Sequence, residues 1–149
     1  MVRVCSGIGG AGLTGCVPMV GGARDDPAAC YEVWGQTVRA VGQVPSEPCL
    51  RWAMLLHDSG KPACKTVDEQ GVGHFRGHPK HSRALAGTLL PRLRFPKEDT
   101  ERILLLVEQH DRPLGDSEQL VRRRLARLGE ARFCALLMIH TRAPAGTRT

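Results

Sequence analysis

From about residue 28 onward, apolar residues recur at the three- and four-residue spacing of amphipathic helices, while the residues before it show no such period. Tyr31, Trp34, Val38 and Val41 outline one face of a first helix. Pro45-Ser46-Glu47-Pro48 closes it and opens the next, with Ser46 as the expected N-cap and Pro48 in the first turn. The run from Cys49 to His57 is apolar nearly all round (Leu50, Trp52, Ala53, Met54, Leu55, Leu56), the pattern of a central, buried helix. Ser59-Gly60-Lys61-Pro62 breaks it just after His57-Asp58. Cys64 to Phe75, with Asp68-Glu69-Gln70-Gly71 between short Val-bearing pieces, reads as a loop or small hairpin. A helix from Pro79 carries Leu85, Leu89, Leu90 and Leu93. The next, after Phe95-Pro96, carries Ile103, Leu104, Leu106 and Val107 and ends near His110-Asp111, before Pro113. Ser117–Leu128 and Glu130–His140 complete the set, divided by Gly129. The pattern predicts an all-α bundle of five or six helices over residues 28–141, followed by a disordered tail over 142–149.

Residues 1–27 differ in kind. Glycines at 7, 9, 10, 12, 15, 21 and 22 resist both helix and strand, so the segment reads as flexible and disordered. Gly7, Gly9 and Gly12 spell GxGxxG, but that fingerprint requires a strand before it, a helix after it and a parallel sheet around it. Gly15 and Pro18 interrupt the stretch where that helix would have to form, and no βαβ pattern appears later. Leu13-Thr14-Gly15-Cys16 resembles a lipoprotein cleavage box, yet the run before it is a poor signal core. Neither motif changes the disordered reading.

Length and composition then narrow the class. A chain of 149 residues suits one core, and with 42% hydrophobic but only 4% aromatic residues that core must be aliphatic. No stretch approaches the roughly 20 apolar residues that span a bilayer, so no membrane partner is expected. The formal charge of +6 favours anionic partners such as nucleotides, phosphorylated small molecules or RNA. The six cysteines (Cys5, Cys16, Cys30, Cys49, Cys64, Cys134) form no CxxC pair and read as reduced thiols of a cytoplasmic protein, several of them core residues. Arg122, Arg123, Arg124, Arg127 and Arg132 form the densest basic cluster. It could contact RNA or another polyanion. With no aromatic platform beside it, a solvated helix face above buried Leu120, Val121, Leu125 and Leu128 is the preferred reading.

The candidate chemistry lies in the histidines. His57, His74, His78, His81 and His110 fall at element ends, where polar side chains of apolar helices can converge over a core. Imidazole and carboxylate together suit Fe, Mn, Zn or Mg, according to count and geometry. An isolated His-Asp pair carries little weight, because adjacent helical side chains diverge by about 100°. Both reach one ion only at a helix end, which Gly60 supplies.

The string around the pair carries more. LRWAMLLHDSGKP, followed by GVGHFRGHPKHS, LRF and LVEQHD, closely resembles the HD domain of the HD superfamily, and within it the HD domain attached to bacterial CCA-adding tRNA nucleotidyltransferases. The resemblance runs from about Tyr31 to about His140. It implies an all-α phosphohydrolase fold with one or two divalent ions (Mg, Mn, Ni, Co, Fe or Zn), acting on nucleotides, phosphomonoesters, cyclic phosphodiesters or RNA ends. Carried over by residue, it makes His57 and Asp58 the pair itself and His78 and His110 the additional metal-ligating histidines. Lys61 becomes a basic residue that faces the substrate phosphate and adds electrostatic stabilisation, and Asp58 also a group that orients or deprotonates the attacking water. His74 and His81 match no ligand, so local hydrogen bonding or exposure is expected of them.

The chain departs from the family pattern at two places. The first-helix ligand position is occupied by Gln36, whose amide oxygen is a poorer ligand than imidazole for Zn or Fe. After LLMIH, where the family continues Arg-Ala-Asp, this chain reads Thr141-Arg142-Ala143-Pro144, and no acid follows Glu130. The alternative expectation is therefore a catalytically impaired HD module, or a truncated or frame-shifted fragment, that binds RNA or a protein partner. Some 27 leading residues are also too few for a nucleotidyltransferase head, so CCA addition is not expected of them.

Overall fold

A computed structural model describes residues 27–142, with side chains described for 35–141. The Gly-rich segment, its two motifs and the tail beyond Arg142 lie outside the described residues. Helix α1 spans Pro27–Gln43, α2 Pro48–Leu56 and the single turn α3 Lys61–Cys64. A two-stranded antiparallel hairpin comes next, β1 Thr66–Val67 and β2 Gly73–His74, with Thr66 opposite His74. Then come α4 His78–Arg92, α5 Lys97–Gln109, α6 Glu118–Leu128 and α7 Glu130–Arg142. The described residues thus form an all-α bundle of six helices of nine residues or more, with the expected hairpin as its one piece of sheet.

α2 is the centre. It packs against α1, α4, α5 and α7, and Cys49, Leu50, Ala53, Met54 and Leu56 are all buried on it. The core around it is aliphatic, as a chain poor in aromatics requires: Ala86, Leu89 and Leu90 from α4, Ile103, Leu106 and Val107 from α5, and Ala135, Leu136 and Ile139 from α7. No helix among the described residues is long and apolar enough to cross a membrane. Of the described cysteines, Cys49 is buried, Cys64 partly buried and Cys134 exposed, and all three are free thiols.

Three local expectations are corrected. The cap of α2 is Glu47, not Ser46: its carboxylate accepts from the Leu50 amide at 2.7 Å and the Cys49 amide at 3.2 Å, and it pairs with Arg102 at 3.3 Å. A charged acceptor satisfies two orphan amides at the positive end of the helix, which a hydroxyl could not. On α1 the buried stripe is Thr37 and Ala40, continued by Val44 just past its end, with Val38 and Val41 flanking it. The small residues permit close approach to α2, so the face is rotated from the one that the larger apolar residues marked. On α6 no residue is buried: Leu120 is 48% and Leu125 38% exposed. That helix packs chiefly on α7, so only Val121 and Leu128, near the middle of its apolar arc, find partial cover. Arg122, Arg123, Arg127 and Arg132 are exposed, as the solvated-face reading requires.

Replacing Glu47 with Ala leaves both amides uncapped and should lower stability by about 1–2 kcal/mol. The half-exposed Arg102 pair adds little. Urea unfolding of the two proteins measures the difference, and an unchanged midpoint would show the cap to be idle.

Candidate metal centre

α2 ends at Leu56, and His57 forms its C-terminal cap. The chain turns at once: the Ser59 hydroxyl donates to the Leu56 carbonyl at 2.8 Å, and the Gly60 amide donates to Ser82 Oγ on α4 at 2.9 Å. The turn therefore sits directly on α4. A Cβ at Gly60 would fall 2.6 Å from the His78 carbonyl oxygen, 2.6 Å from the Ser82 amide and 2.8 Å from His81 Cβ. Only glycine allows this approach, and the approach brings His78, the first residue of α4, beside Asp58. His110 arrives from the other side as the C-terminal cap of α5.

The three rings are held in one manner. Nδ1–H of His57 donates to the Met54 carbonyl at 2.6 Å, that of His78 to Phe75 at 2.9 Å, and that of His110 to Val107 at 2.7 Å. Each bond reaches three residues back along the chain and commits Nδ1 as the donor, which leaves Nε2 of a neutral ring as a lone-pair atom and Nε2 of a protonated ring as a donor toward Asp58. All three Nε2 atoms face the Asp58 carboxylate: His57 lies 3.1 Å from Oδ2, His78 3.4 Å and His110 3.7 Å from Oδ1. The His78 and His110 Nε2 atoms are 3.0 Å apart. Lys61 Nζ stands 3.0 Å from Oδ2 and 5.5 Å from the centroid of the Phe75 ring.

Solvent is nearly absent. His57 and His78 are 0%, Lys61 1%, Asp58 2% and His110 6% exposed. Burial pushes the Asp58 carboxyl up, but the His57 charge and contacts from the three rings outweigh it and hold the group well below the usual carboxylate range. Burial also lowers His110 below the ordinary imidazole value, which keeps it neutral, and lowers Lys61 despite the opposing pull of Asp58 and Asp111.

This donor set fits a cation. Asp58, His78 and His110 can each turn a ligand atom to within 4.8 Å of the others. His57 Nε2, Asp58 Oδ1 and Lys61 Nζ are buried without a hydrogen-bond partner, ion-pair proximity notwithstanding. Such orphaned atoms are costly unless something satisfies them. Two lone-pair nitrogens 3.0 Å apart would repel, whereas that spacing is about the edge between neighbouring ligands of an ion with bonds of about 2.1 Å. HD domains bind divalent metals, and this cluster can hold one.

The sequence-predicted residues thus separate into groups. His57, Asp58, Lys61, His78 and His110 are brought together. Gln36 is half-buried on α1, beside the buried Thr37, in the helix that packs on α2. His74 pairs instead with Asp68 at 2.8 Å on the hairpin, and His81 is exposed. Three contributors went unforeseen: Ser82, Phe75, and His140, whose Nδ1 approaches the His110 carbonyl at 3.3 Å. Ser82 was discoverable, because it lies four residues from His78 and so on the same helical face.

A Gly60→Ala substitution should separate the His57-Asp58 turn from α4. The expected result is a loss of about 1–3 kcal/mol together with weakened metal binding. His110→Ala removes a ligand atom and should weaken divalent-ion affinity by more than about 100-fold. Calorimetric titration reads both, and wild-type affinity in His110→Ala would exclude that ring from the site.

The comparisons agree with this geometry. The model of the HD domain family matches residues 30–143. The chain is 37% identical over 110 residues to the CC-adding tRNA nucleotidyltransferase of Thermus thermophilus, covering 69% of this chain and 24% of the relative. It is 42% identical over 62 residues to the A-adding tRNA nucleotidyltransferase of Deinococcus radiodurans, covering 41% of this chain and 14% of the relative. The matched regions thus span a quarter or less of these curated relatives. No solved structure matches significantly. With the buried His-Asp cluster at the end of its central helix and a family match over most of its length, the chain belongs to the HD domain family.

Proposed function

We propose that the chain is a metal-dependent phosphohydrolase module, acting on a phosphomonoester or cyclic phosphodiester of a nucleotide or an RNA end. One observation carries the reading: three imidazole Nε2 atoms converge on a buried carboxylate beside a buried lysine. His57, Asp58, His78 and His110 would hold the ion, with the Gln36 amide oxygen as a further ligand from α1. The nitrogen-rich set favours Mn, Fe, Co, Ni or Zn over Mg. The bound ion would lower the pKa of water and offset charge on the phosphoryl oxygens.

The protein's own groups do the rest. Asp58, through the carboxylate oxygen not given to the ion, orients the attacking water. The Lys61 ammonium opposes charge growing on the phosphoryl group, and the dry surroundings strengthen that attraction. The net charge of +6 favours the approach of a polyanion. The substrate class draws on the relatives, whose names make them tRNA nucleotidyltransferases.

A second reading, an HD module retained for binding RNA or a partner, draws on Gln36 in place of an imidazole and on Thr141-Arg142-Ala143 after the LLMIH stretch. Metal analysis of the purified protein separates the two, followed by turnover of p-nitrophenyl phosphate and 2′,3′-cyclic nucleotides with added Mn, Mg, Fe, Ni, Co or Zn. The expected outcome is bound metal and hydrolysis that falls at least about 100-fold in His57→Ala and Asp58→Ala. Metal-free protein, inactive with every ion, would leave the binding reading standing.

A further inference from the structure

The His57, Asp58, Lys61, His78 and His110 cluster, exposed by 6% or less at each residue, cannot receive a phosphoester unless some covering element yields. α2, α4 and α5 each bury several aliphatic side chains in the core, so displacing any of them would break the bundle. The segment from Lys65 to Gly77 is different, because none of its residues is buried. Within itself it is well stitched. The Asp68 carboxylate accepts from the Gln70 and Val72 amides at 3.0 and 2.9 Å and pairs with His74 at 2.8 Å. At its far end stands Gly77 with φ of 81°, a left-handed joint leading into α4. The segment is a small, internally stitched piece that enters α4 through a left-handed glycine and buries none of its residues.

What holds it is Phe75. Its half-exposed ring lies against the Lys61 ammonium, 5.5 Å from centroid to Nζ. Its carbonyl receives the Nδ1–H of His78 at 2.9 Å. The same residue therefore covers the lysine and orients one ring of the centre. We propose that Phe75 is the gate of the centre: the Lys65–Gly77 hairpin swings as a unit, lifting the ring from Lys61 and opening the path by which a phosphate reaches it. The purpose of the gate rests on the phosphohydrolase reading, but its existence does not. Phe75 is a positioning residue in this scheme, with no part in the chemistry itself.

Amine acetylation of the metal-free protein, with thiol alkylation in a parallel sample and peptide mapping of both, tests the gate without turnover. Exposed Lys65 and Lys80 report reagent activity. Cys49 reports global unfolding: it is 4% exposed and its thiol is pushed up to about 11 by burial and by Asp99, so it alkylates only when the core opens. In the wild type Lys61 should react far more slowly than Lys65. Phe75→Ala should raise its rate about tenfold or more, the equivalent of losing a desolvated cation–π contact, with Cys49 still protected. His74→Gln, which keeps the ring but removes one partner of the hairpin ion pair, should raise it by a smaller factor. If Phe75→Ala also exposes Cys49, the His74→Gln result decides. Lys61 that stays protected in both variants, or that reacts only in step with Cys49, would overturn the gate. An inactive wild type with a normal labelling pattern would overturn the hydrolase reading and leave the gate intact.

Discussion

The centre depends on one electrostatic constraint, the burial of the Asp58 carboxylate at the end of the central helix. A lone carboxylate there would be expelled or protonated. It stays ionised because imidazoles from the ends of α2, α4 and α5 and the Lys61 ammonium crowd around it. That requirement dictates much else. It fixes where α2 stops, demands glycine at residue 60 so that the turn can touch α4, and directs the ends of α4 and α5 to a single point. It also leaves a local imbalance, because every ring that is neutral turns a nitrogen lone pair toward the carboxylate and its neighbours. A divalent cation resolves that imbalance more completely than protons could, since burial resists protonation of His110.

Most of the architecture is legible in the sequence because helix periodicity and punctuation agree along the chain. Gly129 divides α6 from α7, Pro96 precedes α5, and the all-apolar run through Leu56 marks the central helix. Where sequence and structure part, packing partners decide the outcome. Ser46 has the better intrinsic capping preference, but Glu47 brings two oxygens and an Arg102 contact that lies some fifty residues away. Thr37 and Ala40 are hard to see as core beside larger apolar neighbours, although close helix packing rewards small residues. Periodicity alone assigns Leu120 and Leu125 to the interior, and it says nothing about whether a further layer exists to cover them.

The candidate site divides in the same way. His57, Asp58, His78 and His110 are recoverable because each sits at a helix end within a recognisable string. The burial of Lys61 is not, since lysine is rarely enclosed and its enclosure depends on Phe75, fourteen residues on and in another element. His140 is invisible for a similar reason: its contact is to a main-chain carbonyl that only the packing of α7 brings within reach.

The bonds from each Nδ1 to a carbonyl three residues upstream carry a wider consequence. Every imidazole in the centre takes its tautomer from its own stretch of backbone and needs no help from the other two. Such a centre is modular. A change at one ring leaves the remaining rings presenting the same nitrogen in the same direction. Substitution of one ring can therefore leave the rest of the cluster poised. Partial sets of ligands on intact folds are what such independence would leave behind.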